Sequence, residues 1–88
     1  MNNDICKGKN AFWIVTNVIA REDYTLVITF ITGEKKVYDF LPLLEKSIYA
    51  PLKDINFFLK AKVIGDTVVW NDDIDIAPEH LYEYSTSL

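Results

Sequence analysis

The stretch DYTLVITFITGEKKVYDF, residues 23–40, decides the fold. Tyr24, Leu26, Ile28 and Phe30 fall on one side of a period-two pattern, and Thr25 and Thr29 interrupt the other. That alternation predicts a β-strand over residues 24–32, in a sheet with one buried face. Gly33 and Glu34 open a tight turn, where glycine tolerates the positive φ such turns need. Tyr38 and Phe40 then alternate with Val37 and Asp39 in an antiparallel strand.

Upstream, FWIVTNVIA at residues 12–20 is rich in β-branched and aromatic side chains and reads as a first strand. Arg21, Glu22 and Asp23 form the polar tip that joins the two strands. The register of this hairpin has two readings. Ile14 and Val18 face the core in one; a slip of one residue puts Trp13, Val15 and Ile19 there instead.

Downstream, LPLLEKSIYAPLKDINFFL at residues 41–59 contains Pro42 and Pro51. The prolines forbid one long helix but allow short helical turns that begin near each of them. Residues 58–64 and 67–70 read as a second hairpin around Gly65 and Asp66. APEHLYEYS at residues 77–85 reads as a short closing helix with Pro78 in its first position. The order βββ, short helical turns, ββ, C-terminal helix predicts an α+β fold with a small, mainly antiparallel sheet. Residues 1–10 are polar and are expected to be a flexible tail, with a single domain over residues 11–88.

Composition narrows the function classes. A chain of 88 residues is one domain, and it buries only roughly 60% of its unfolded surface. The 50% apolar and 14% aromatic content suits a globular core rather than a disordered chain. One cysteine and one histidine exclude a disulfide framework and a zinc cage. No apolar run reaches the ~20 residues of a membrane span, and MNNDICKGKN is no signal peptide, so the expected location is the cytoplasm. Residues 1–62 hold all nine Lys and Arg, whereas residues 63–88 hold six acids (Asp66, Asp72, Asp73, Asp75, Glu79, Glu83) and no base. This acidic third would repel phosphate, which argues against nucleic acid and for a basic protein partner.

Three segments carry a resemblance: DYTLVITF at 23–30, GEKKVYDFLPLLE at 33–45 and GDTVVWNDDIDIAPEHLYE at 65–83. Together they resemble the bacterial family called domain of unknown function 2442, over roughly residues 13–84. The sharpest element runs from Trp70 through Asp75 to Pro78, Leu81 and Tyr82. The resemblance implies a small α+β domain of unassigned activity, cytoplasmic, and often encoded beside another small protein in a toxin–antitoxin-like arrangement. It supplies no catalytic residue. Relatives often have Asp before the position of Pro78; here it is Ala77, so Asp75 is the candidate to cap the closing helix instead.

Four groups of residues are candidates for chemistry. Asn71, Asp73 and Asp75 have the 1-3-5 spacing of a calcium loop. The sixth and twelfth positions, which need Gly and Glu, are Ile76 and Tyr82, so the run reads as a hairpin exit with side-chain-stabilised turns, and no metal or other cofactor is expected. Cys6 and His80 fall on a tail and beside Glu79, a poor setting for a nucleophile and its base. Asp39 and Glu45 flank Pro42, and Asp39 is expected to hold the following turn rather than act as an acid or base. Among the aromatics, Trp13 and Tyr84 are the candidates for exposure, while Trp70 is expected to pack on the closing helix near Leu81.

The first functional expectation is therefore a non-enzymatic protein-interaction module, with Asp72, Asp73, Trp13 and Tyr84 on its contact surface. A protein partner is expected, a second copy of the chain being one option, with neither nucleic acid nor membrane. Trp70, Asp75, Pro78, Leu81 and Asp39 are expected to be structural. The alternative is a small-molecule-binding or catalytic domain, with a pocket between the sheet and residues 41–58.

Overall fold

The computed structural model describes residues 11–88. The expected tail at residues 1–10, and Cys6 within it, lie outside the described residues. The fold is α+β, and its strands divide between two antiparallel sheets. The first contains β1 (Val15–Ala20), β2 (Thr25–Phe30), β3 (Lys35–Asp39) and β7 (Thr86–Ser87), in the order β1-β2-β3-β7. The second contains β4 (Lys62–Ile64), β5 (Thr67–Asn71) and β6 (Ile74–Ile76) in sequence order. A 3-10 turn at Ala11–Trp13 precedes β1, two more at Leu41–Glu45 and Ser47–Lys53 follow β3, and two short helices, α1 (Ile55–Phe58) and α2 (Pro78–Tyr84), complete the chain.

The alternation in β2 sets the core, because Leu26, Ile28 and Phe30 are all buried on one face. In β1 both registers read from the sequence are partly realised. Val15 pairs with Phe30 and Asn17 with Thr29, so Thr16 is an extra residue in a β-bulge. A bulge sets two residues against one and reverses the in–out alternation beyond it. Val15 is therefore buried before it and Val18 packs on the core after it, while Ile19 stays 56% exposed. The Thr16 hydroxyl donates to the Thr29 carbonyl across the bulge, 3.2 Å away.

The β1–β2 turn carries Tyr24 at φ 65, a left-handed conformation that costs a residue with a Cβ about 1–2 kcal/mol. Its surroundings hold it there. Its ring centroid lies 4.8 Å from that of Phe58, and its hydroxyl donates to the Lys53 carbonyl. Asp23 Oδ1 accepts from both Thr25 N and the Thr25 hydroxyl, which locks the turn and lowers the Asp23 pKa.

The Ser47–Lys53 turn and α1 each add a fully buried side chain to the core, Leu52 and Phe58. The sheets meet at the start of β1, where Val15 N donates to the Asp66 carbonyl in the β4–β5 turn at 3.0 Å. The helix α2 packs against β3 and the Ala11–Trp13 turn. The structure departs from the sequence reading at several elements. Phe12 and Trp13 are a 3-10 turn rather than strand, and residues 58–61 are the end of α1 and a turn rather than the start of the fourth strand. The Ser47–Lys53 turn begins well before Pro51, and β6 and β7 are additional strands. β6 and β7 are three and two residues long, too short for their alternation to stand out in a sequence.

Candidate functional site

The segment that follows β5 is built by Asn71. Its side-chain oxygen accepts from Asp73 N at 2.8 Å and Ile74 N at 2.9 Å, turning the chain into β6. Asp72 and Asp73 are the exposed loop residues of this β5–β6 hairpin. The calcium-like spacing thus supports a turn, with the Asn71 oxygen occupied by backbone N–H groups. Among the described residues, no three His, Cys, Asp or Glu side chains converge on a metal-binding geometry.

Trp70 is 3% exposed and sits on the inner face of β5. Its Nε1 donates to the Phe58 carbonyl at 2.9 Å, and its ring lies 5.4 Å from Phe40 and 6.0 Å from Phe58. Its hydrogen bond ties it to the end of α1 rather than to the closing helix. Leu81 is fully buried in the same core. Asp75 does not cap α2: the N-cap position, Ala77, receives no side-chain hydrogen bond. The exposed Asp75 instead accepts the Tyr49 hydroxyl at its backbone carbonyl, at 3.1 Å. Pro78 occupies the start of the helix. Asp39 ends β3 and accepts from Leu41 N at 3.1 Å, so one of its oxygens holds the turn before Pro42.

The remaining two candidates flank α2. Tyr84 is 63% exposed at its end, with its ring 4.7 Å from His80. Trp13 is half-buried rather than exposed, and it lines a groove of about 400 Å³ between the Ala11–Trp13 turn and α2. The other lining residues are Phe12, Lys36, Glu79, Tyr82 and Glu83. The acidic loop and this aromatic groove are built from different elements, so the expected contact surface resolves into two places.

The groove has a fixed floor. Lys36 donates to the Tyr82 carbonyl at 2.9 Å and lies over the Tyr82 ring, 4.0 Å from its centroid. Glu34 approaches Lys36 at 4.0 Å and accepts the Tyr82 hydroxyl at 2.9 Å, and that bond raises the Tyr82 pKa. The rim is different. Glu79 and Glu83 stand one helical turn apart, and among the described residues neither has a cation within 4.0 Å. The sequence carried this signal as two acids spaced i, i+4 in the closing helix, but nothing in it placed Trp13 opposite them.

A second groove, of about 360 Å³, lies where the alternative reading expected a pocket. Leu43, Lys46, Ile48 and Tyr49 face Ile76, Ala77 and His80 across it. Behind it, the buried Tyr38 hydroxyl is 2.8 Å from His80 Nε2. Burial, with smaller contributions from Tyr49 and Asp39, pushes the Tyr38 pKa up to about 12, so its hydroxyl keeps its proton at neutral pH.

These features define a small α+β domain with a buried apolar core and, among the described residues, open surface grooves on either side of α2. The chain belongs to the DUF2442 family, described as a protein of unknown function, whose pattern it matches over residues 15–87. No curated protein and no solved structure matches it. Among the described residues, no helix is long and apolar enough to cross a membrane.

Proposed function

We propose that the chain is a non-enzymatic, cytoplasmic protein-interaction module that receives a basic partner in the groove between the Ala11–Trp13 turn and α2. The observation that supports it most is the pairing of an open aromatic wall with two carboxylates that have no partner within the described residues. Aromatic anchors supply contact energy, and charges at the rim steer encounter and select the partner. A small protein encoded beside this one, as the family resemblance implies, is the first partner to try.

The test is capture of partners from the protein's own cells, by the tagged full-length chain, at low and high salt. A partner retained by the wild type should be released by salt and lost with Glu83→Lys, while the variant melts no lower than the wild type. Capture that ignores both changes would contradict the proposal.

A second reading rests on the groove beside His80, where Lys46, Tyr49 and His80 bring polar groups to mostly apolar walls, as small-molecule sites do. It requires a small molecule that shifts the His80 and Tyr49 resonances and that Lys46→Ala no longer binds.

A further inference from the structure

We propose that the groove beside α2 takes an arginine side chain of the partner protein, with its guanidinium stacked on the Trp13 indole and paired with Glu79 and Glu83. This inference rests on the interaction-module reading and names the group that reading leaves open.

The aromatic surface comes first. Tyr82 is already engaged, since Lys36 lies 4.0 Å from its centroid and the Phe12 and Phe30 rings pack at 4.8 and 4.9 Å. Trp13 lines the same groove, and among the described residues no ring or cation is stacked on it. Indole is the best face for a cation among the aromatic side chains.

Charge decides the occupant. Like charges spaced i, i+4 on a helix destabilise it, and Glu83 adds a negative charge to the last turn, where the helix dipole disfavours one. Lys36, the one cation lining the groove among the described residues, does not relieve this, because its ammonium is held by the Tyr82 carbonyl and offset by Glu34. Among the described residues the fold thus leaves a pair of like charges uncompensated at the mouth of an aromatic groove, with Glu83 at the end of α2 that the dipole disfavours, and a cation from outside would relieve their repulsion. Arginine fits better than lysine. Its planar guanidinium can lie on the indole while its edge donors reach two carboxylates, which a compact ammonium cannot do at once.

The experiment titrates the full-length ¹⁵N-labelled protein with acetyl-Leu-Arg-Leu-amide and its lysine and citrulline counterparts. The arginine peptide should shift the Trp13 indole N–H and the amides of Glu79 and Glu83. It should bind about tenfold more tightly than the citrulline peptide, with lysine between them. Glu79→Gln with Glu83→Gln should remove that preference and leave the fold intact. Equal binding of the arginine and citrulline peptides, or shifts confined to the His80 groove or to Asp72 and Asp73, would overturn the inference. So would a groove closed by self-association of the chain. If a cellular partner depends on Trp13 but the arginine peptide does not displace it, the guanidinium assignment fails and the interaction module stands. If the peptide binds as expected but no cellular protein is captured, the groove chemistry stands and the module reading fails.

Discussion

The two tryptophans occupy opposite kinds of surroundings. Trp70 is 3% exposed, its N–H is bonded to Phe58, and its ring faces two phenylalanines. Trp13 lines an open groove, beside a Phe12 that is 41% exposed and opposite two acids without counter-ions among the described residues. A residue whose every group is satisfied internally stabilises the fold. One left with an unused face beside uncompensated charge is placed for something outside it. The packing energy is therefore concentrated around Phe40, Phe58 and Trp70, and the proposed recognition chemistry lies at the end where α2 meets the Ala11–Trp13 turn.

The largest effect expected from this contrast is at Trp70. Trp70→Ala should cost about 3–5 kcal/mol, enough to unfold much of a marginally stable small domain, as read by a thermal or urea melt. Trp70→Phe keeps much of the packing and removes one of two donors to the Phe58 carbonyl, which still accepts from Ala61 N at 3.2 Å. The lost bond should cost about 0.5–1.5 kcal/mol, separating the hydrogen bond from the ring. An unchanged melt for Trp70→Ala would erase the distinction between the two tryptophans.

Next in size is the response to alkali. The Tyr38 pKa is raised from 10.0 to about 12 in the folded protein, so the unfolded chain releases its proton first as pH climbs. Stability from this group is complete below about pH 10 and falls as pH rises toward about 12, by roughly 2–3 kcal/mol in all. Tyr49 and Tyr82 are shifted in the same direction. Urea melts across this window should show the fall, and Tyr38→Phe should flatten it.

The β5–β6 loop sharpens the comparison at smaller scale. Asn71→Ala removes the acceptor for two backbone N–H groups and should cost about 1–2 kcal/mol. Asp72→Asn with Asp73→Asn, one bond away in sequence, should move stability by less than about 0.5 kcal/mol. Smallest of all, Glu83→Gln should stabilise the protein by about 0.2–0.5 kcal/mol, because it relieves the repulsion with Glu79 and removes a charge the helix dipole disfavours, whereas Glu79 sits in the first turn that the dipole favours. A loss of stability instead would show that this acid serves the fold.

The strands with strong alternation, β2 and β3, were legible in the sequence because one face is buried against one core. The register of β1 was not, because the Thr16 bulge puts opposite parities of one short strand on the same face. Pro42 marked the start of its helical turn, whereas Pro51 lies inside the Ser47–Lys53 turn, and the partner of Trp70 was hidden. Phe58 lies twelve residues away, and only the return of the chain through β4 and β5 brings the two together. Asp75 looked like a helix cap by its proximity to Pro78, yet residues 74–76 pair as a strand and hold it in the ladder. At the candidate site, the acids of α2 were visible as composition, whereas their position opposite Trp13 depends on the packing of α2 against the first turn of the described chain.

The most direct test of the contrast follows the fluorescence of each tryptophan alone, in Trp70→Phe and Trp13→Phe proteins, as a captured partner is added. The emission of Trp13 should shift to the blue and become shielded from iodide at saturation, while that of Trp70 stays unchanged. A partner that saturates the protein and leaves Trp13 as open to iodide as before would contradict the account.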